Sequence, residues 1–295
     1  MMPEPRIGFL GIGIMGEAMV LRLLERGRPV TVWNLEPERL DRVVPHGAVA
    51  APTPAAVAAA SDVVILCVLH TDAVARCVFG PDGIASAGPA AGKVLLDHST
   101  AEPAATREMA ARLRAETGMG WVDAPVSGGP QAARAGTLTI MMGGDPGEIA
   151  TLGPVLRDLG TNVTRMGPVG AGQTTKVLNQ AIVGTGFVLM AEALAMAEAA
   201  GLDAAALPAG LAGGHADGSL LQKIYAQMQR RDFEPPTSYA RQLLKDLKAV
   251  KAFAHDLDLE LPLVETAVSR FADYVARGNE MVDSASVIRL YRPDP

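Results

Sequence analysis

The 295-residue sequence predicts an α/β protein, with an N-terminal doubly wound parallel sheet followed by a C-terminal all-α domain. Three observations predict it. Short apolar runs alternate with helix-period segments through the first half of the chain, the pattern of βαβ units. Runs such as Asp62-Val-Val-Ile-Leu-Cys-Val68 are continuously apolar, which suits strands covered on both faces. After Gly172 the strand-like runs stop and only helical periodicity remains. The boundary is therefore placed near residue 165, giving domains 1–165 and 166–295.

Taken in order, Arg6 to Leu10 is a short apolar strand that runs into Gly11. Glu17 to Arg26 is a helix with Ala18, Leu21 and Leu24 as its apolar positions, and Gly27 ends it. Pro29-Val-Thr-Val-Trp33 is a second strand, followed by helices over Glu38 to Val44 and Pro52 to Ala60. Asp62 to Leu69 is a buried-type strand, then Asp72 to Phe79 a helix, Lys93 to Leu96 a strand, Glu102 to Thr117 a helix and Gly120 to Asp123 a strand. Leu138 to Met142, stopped by Gly143-Gly144, is an added strand, and Pro146 to Leu159 another helix. Thr174 to Ala200 is helical throughout, a length of roughly 40 Å at 1.5 Å per residue. Further helices are expected over Leu220 to Arg230, Tyr239 to Asp256, Leu263 to Arg277 and Asp283 to Tyr291, with Gly213-Gly214 and Pro235-Pro236 between them.

Composition narrows the function. Charged residues make up 20% and hydrophobic ones 49%, a globular balance. Only 4% are aromatic while Ala, Gly and Val abound, which favours tight helix packing over stacking surfaces. The net charge of −6 and the lack of a basic cluster argue against nucleic acid and against a membrane surface as partner. Cys67 and Cys77 read as reduced core thiols. No signal-peptide pattern opens the chain, and no uninterrupted apolar run reaches the ~20 residues a membrane span needs. Gln180 to Ala200 comes closest but holds Glu192 and Glu198, so a soluble, cytoplasmic protein is expected.

The first motif is Gly11-Ile12-Gly13-Ile14-Met15-Gly16, placed after a strand and opening a helix. In a dinucleotide fingerprint the first glycine makes the tight turn, the second lets backbone approach the pyrophosphate and the third permits close helix–strand packing. The helix N-terminus offers free N–H groups and positive dipole character to the phosphates. The N-terminal domain is thus expected to be of Rossmann type and to bind NAD or NADP. At the end of the second strand, Asn34 is suited to bond either ribose, Leu35 follows it, and Glu36 favours a free 2′-hydroxyl and so NAD. Arg39 is either a partner for a 2′-phosphate or a solvated surface charge.

Ser127-Gly128-Gly129 after the strand ending at Asp123 reads either as a nest of backbone N–H groups for a carboxylate or as an ordinary βα loop. Ser99-Thr100 lies at the sheet's carboxyl edge, where ligands bind, although Thr100 is equally suited to cap the helix near Glu102. His70 and His98 fall at strand ends and are read as loop histidines. The His, Cys and acidic residues show no metal-ligand spacing. Lys176, Asn179 and Gln180 share one face of a helix that is apolar elsewhere, and polar groups clustered there cost free energy unless they bind something.

Four stretches together resemble the β-hydroxyacid dehydrogenase family, which includes 3-hydroxyisobutyrate dehydrogenases, 2-hydroxy-3-oxopropionate reductases and glyoxylate/succinic semialdehyde reductases. They are Gly8 to Gly16, Asp123-Ala-Pro-Val-Ser-Gly-Gly129, Gly167 through Lys176 to Gln180, and Lys245-Asp246-Leu247. The resemblance implies hydride transfer between NAD(P) and a small β-hydroxy acid or semialdehyde acid. It implies Lys176 as general acid and base, with Asn179 orienting substrate. Ser127, Gly128 and Gly129 match the substrate carboxylate site, with Gln180 beside Asn179. Gly11 to Gly16, Leu69, Thr100 and Lys245 match positions lining the cofactor. A homodimer or homotetramer is also implied. The departures are Leu35 where NADP-using relatives often carry arginine, His70 where proline is usual, and His98 where an apolar residue is commoner. Alternative readings are an imine reductase, a dehydrogenase of β-hydroxy amino acids, or a cofactor-binding module without activity. The presence of Lys176 argues against the imine branch and the inactive module.

Overall fold

The computed structural model describes residues 4–294, and its packing divides into two compact units after Lys176. The first unit contains strands β1 (Ile7–Leu10), β2 (Val30–Trp33), β3 (Val49–Ala50), β4 (Val63–Leu66), β5 (Val94–Asp97), β6 (Gly120–Asp123), β7 (Val126–Ser127), β8 (Leu138–Gly143) and β9 (Gly160–Gly167). They form one sheet in the order β3-β2-β1-β4-β5-β6-β8-β7, with β9 beside β8. The strands from β3 to β6 along this order are mutually parallel. β8 runs antiparallel to β6 and β7 and parallel to β9. Chain order reverses between β1 and β4, and ligands of such sheets bind outside the carboxyl ends at that switch.

Helices α1 (Ile14–Glu25), α2 (Pro54–Ala60), α3 (Thr71–Phe79), α4 (Pro103–Thr117), α5 (Gly129–Ala135), α6 (Pro146–Thr151) and α7 (Gly153–Leu159) accompany the sheet. Alternate strand residues enter different cores. Phe9, Val32, Ile65, Leu96 and Val122 pack with Leu23, Ala133 and Leu156. Leu10, Val64, Leu66, Leu95 and Trp121 pack with Val57, Val74 and Leu113. Both faces are buried, which is why these strands read as unbroken apolar runs.

Several segments differ from expectation, the short strands β3 and β7 and helix α5 among them. Residues Pro37–Arg42 and Val44–His46 form 3₁₀ turns rather than an α-helix, and Pro45 inside the second has no N–H to continue a ladder. The helix expected over Pro146 to Leu159 is two, because Gly153-Pro154 restarts it after Leu152. Strand β9 is an unexpected addition; its side chains are mostly exposed, so it lacks the apolar signature of the buried strands.

Helix α8 (Ala171–Ala199) starts in the first unit and continues in the second. The second unit adds α9 (Leu207–Gly210), a wide-turned π segment Leu220–Tyr225 leading into α10 (Ala226–Arg230), α11 (Ala240–Asp256), α12 (Pro262–Tyr274) and a closing 3₁₀ segment Ser284–Leu290. Its core gathers Phe187, Ala191 and Leu194 of α8, Leu243, Leu247 and Val250 of α11, and Val264, Ala267 and Phe271 of α12. Helix α8 has the length and apolarity to cross a membrane, but 44% of its most apolar stretch is already buried inside the protein.

Candidate functional site

The glycine loop follows β1 at the switch point. Gly11 adopts φ +101°, and a Cβ there would strike the Cys67 carbonyl at the end of β4. A Cβ on Gly16 would collide with the Gly11 carbonyl, so α1 can lie this close to the loop only with glycine at that position. Over Gly13 nothing stands within 4 Å. Gly13 is also the N-cap of α1 and offers no capping side chain, so the first-turn N–H groups of Ile14, Met15 and Gly16 face no intrahelical or capping acceptor. An open cradle at a positive helix end fits a pyrophosphate. Helix α1 begins at Ile14, earlier than the apolar periodicity indicated, and that brings the dipole up to the loop.

Asn34 turns inward. Its Oδ1 accepts from the Ile12 N–H at 2.7 Å, and its Nδ2 donates to the Glu36 carbonyl and carboxylate, both at 2.9 Å. Its amide therefore braces the glycine loop and orients Glu36. Arg39 lies 3.5 Å from the Glu36 carboxylate, and Leu35 is exposed.

At the ends of β4 and β5, Leu69 is exposed and Thr100 half-buried. Thr100 does not cap α4; the N-cap is Glu102, and the Glu102 N–H donates to Thr71 Oγ1 at 3.0 Å. Ser99 is the organiser here: its Oγ accepts from the Val68 N–H at 2.9 Å and its own N–H donates to Asp97 Oδ1 at 2.9 Å. His70 caps α3, its Nδ1 accepting from the Ala73 N–H at 3.2 Å. His98 is buried, with Nδ1 2.6 Å from the Ala124 carbonyl, so that nitrogen carries the proton. Burial pushes the His98 pKa down to about 4 and keeps the ring neutral. Loss of solvent pushes the thiols up, Cys67 to about 12 and Cys77 to about 11, so neither is a ready nucleophile.

The end of β6 holds the start of α8. The buried Asp123 carboxylate accepts from the Gly170 N–H at 2.7 Å through Oδ1 and from the Gln173 N–H at 2.8 Å through Oδ2. Burial pushes its pKa up, and the backbone donors pull against that. Gly172 is needed because a Cβ there would strike the Met141 and Asp123 carbonyls. Lys176, one turn on and buried, donates from Nζ to the Val126 carbonyl at 2.9 Å. Val126 directly precedes Ser127, Gly128 and Gly129. Gly128 and Gly129 take φ +130° and +74°, conformations that favour glycine. The first unit thus sets the Lys176 side chain beside the Ser127-Gly128-Gly129 loop.

In the second unit Asn179 Nδ2 donates to Gln180 Oε1 at 2.7 Å, and Gln180 Nε2 donates to Asp246 Oδ2 at 2.6 Å. Lys245 lies 3.0 Å from the Asp246 carboxylate. Asn179 and Gln180 follow Lys176 by three and four residues on α8, the spacing of a shared helix face. Asp246, Asp123 and Gln173 were not singled out from the sequence. Asp123 and Asp246 stand within the motif stretches, but their role as anchors appears only through partners far away in the chain.

Residues 6–167 match the family described as the NAD binding domain of 6-phosphogluconate dehydrogenase, and residues 170–291 the one described as NAD-binding of NADP-dependent 3-hydroxyisobutyrate dehydrogenase. The 2-hydroxy-3-oxopropionate reductase of Escherichia coli (strain K12) is 35% identical over 284 residues, 96% of each chain. The solved structure of a Mycobacterium tuberculosis 3-hydroxyisobutyrate dehydrogenase with L-serine is 29% identical and covers 98% of this chain and 100% of its own, at a TM-score of 0.87. That of a 3-hydroxyisobutyrate dehydrogenase from Salmonella typhimurium, also 29% identical, covers 97% and 99% at 0.86.

Proposed function

Since the chain belongs to the β-hydroxyacid dehydrogenase family and is an NAD(P)-dependent oxidoreductase, we propose that it interconverts a small β-hydroxy acid and its semialdehyde acid, with Lys176 as the proton donor and acceptor. The observation that carries this is the Lys176 Nζ–Val126 carbonyl bond of 2.9 Å, which sets an ammonium next to Ser127-Gly128-Gly129. A substrate carboxylate held by those N–H groups keeps its carbonyl within reach of Lys176. When bound, the nicotinamide supplies or accepts the hydride. In reduction Lys176 gives its proton to the substrate oxygen; in oxidation it takes the hydroxyl proton. Asn179, held by Gln180 and Asp246, orients the substrate hydroxyl.

Of the two cofactors we propose NAD. Glu36 supports it, because the carboxylate that Asn34 holds at the end of β2 repels a 2′-phosphate and accepts from a 2′-hydroxyl. As partner we propose a second copy of the chain, seated on the exposed face of α8.

The test is turnover, followed by nicotinamide absorbance, on 2-hydroxy-3-oxopropionate and 3-hydroxyisobutyrate with both cofactors. L-serine belongs in the same panel, because a relative was solved with it. Lys176→Ala is expected to lower kcat by about 10²–10⁴-fold with cofactor affinity intact. Undiminished turnover in that variant would remove Lys176 from the chemistry.

A further inference from the structure

Gln173 lies in the first turn of α8 with no solvent exposure. Its side chain makes two bonds across the unit: Nε2 donates to the Ser99 carbonyl at 2.8 Å, and Oε1 accepts from the Ala101 N–H at 3.0 Å. Those two backbone groups flank Thr100, at the point where the chain has left β5 and has no ladder to satisfy them. The Gln173 N–H is itself held by Asp123 Oδ2 at 2.8 Å. Three residues further along the same helix face, Lys176 reaches the Val126 carbonyl at 2.9 Å. One amide therefore joins the strand end carrying Thr100 to the helical turn carrying Lys176, and Asp123 joins that turn to the strand leading into the Ser127-Gly128-Gly129 loop.

We propose that Gln173 is a positioning residue, whose side-chain amide sets the place of the Lys176 ammonium relative to the cofactor edge at Thr100. The proposal rests on the reading of Lys176 as proton donor. A residue serving only to satisfy buried backbone would affect folding and leave the turnover of folded enzyme alone. A positioning residue acts on kcat, because a displacement of about 1 Å in a reacting group can cost about a hundredfold in rate.

Two variants separate these roles. Gln173→Leu keeps the bulk and loses both bonds. Measured at a temperature where circular dichroism shows it folded, it is expected to lose kcat by about ten- to a hundredfold while its dissociation constant for NADH stays that of the wild type. Gln173→Glu keeps the acceptor for Ala101 and, only when protonated, a donor for the Ser99 carbonyl. Facing that carbonyl in a buried site favours its protonated form. Its kcat relative to wild type should therefore rise as pH falls, a rescue that a shape-filling role does not produce. Wild-type kcat in folded Gln173→Leu overturns the proposal. So does a Gln173→Glu ratio that is flat with pH, and this second measurement decides if the leucine variant does not fold. Lys176→Ala, run alongside, tells the two readings apart. Its retained turnover would remove the proton-donor role itself, whereas its loss beside an unimpaired Gln173→Leu would overturn the positioning role alone.

Discussion

Asp97 shows what single buried residues add to the chemistry of this sheet edge. Parallel register sets it opposite Asp123, and both side chains are fully buried. Desolvation raises the Asp97 pKa from 3.8 to about 7, the Ser99 hydrogen bonds pull it back in part, and the neighbouring Asp123 adds to the rise. In the unfolded chain the group ionises near 3.8, while the folded protein keeps its proton until about 7. Between those values the folded state binds the extra proton, so stability falls as pH rises through the window and the contribution levels off above it. Asp97→Asn cannot ionise. Its melting temperature relative to wild type should climb between about pH 4 and about pH 8, by an amount on the order of a few kcal/mol in stability; a difference constant with pH would refute this origin. Lys176, Asn179 and Gln180 stand out in the sequence because a polar cluster on an apolar helix is a local anomaly. Gln173 does not, since its partners stand 74 and 72 residues away and a lone glutamine near a helix start carries no signal. The bonds of the Asn34 amide to Ile12 and Glu36 could not be read from the sequence, because they depend on where the side chain points.

At the scale of elements, α8 carries an exposed apolar stripe. Leu178, Ile182, Leu189 and Met196 are 57%, 67%, 58% and 70% exposed. Their spacings of four, seven and seven residues place all four on one narrow stripe of the helix. Covering such side chains is favourable, by up to about 1.5–3 kcal/mol each for full burial, which supports the proposed second copy on this stripe. Sedimentation should find wild type larger than a monomer, and a paired Ile182→Asp, Leu189→Asp change should shift it toward monomer with helical content retained. A wild-type monomer at micromolar concentration would count against the interface. The length and apolar character of α8 were legible because 3.6-residue periodicity needs only the helix itself. Strand β9 was hidden, because its exposed edge position demands few apolar residues. The break after Leu152 followed from a proline whose effect competes with an otherwise helical pattern.

For the whole molecule, the glycine loop, with its open space over Gly13, belongs to the first unit. A ligand that binds only the folded state raises stability by mass action, by about 2.7 kcal/mol at a hundredfold excess over its dissociation constant. NADH should therefore raise the melting temperature, and more than NADPH at equal concentration if Glu36 selects against the 2′-phosphate; equal shifts would argue that Glu36 does not discriminate. The two-part architecture was legible from the place where strands give way to helices, near residue 165. Packing instead changes partners after Lys176, because Asp123 anchors the first turn of α8 to the sheet. That anchoring has a consequence for how such proteins recombine. A chimera with its crossover between β9 and α8 would take Lys176 and Gln173 from one parent and Ser99, Asp123 and Val126 from the other. A crossover directly after Lys176 would part the lysine from Asn179. The stretch from Asp97 to Gln180 therefore behaves as one heritable block, and exchange of substrate preference between relatives should be tolerated more readily on either side of it than within it.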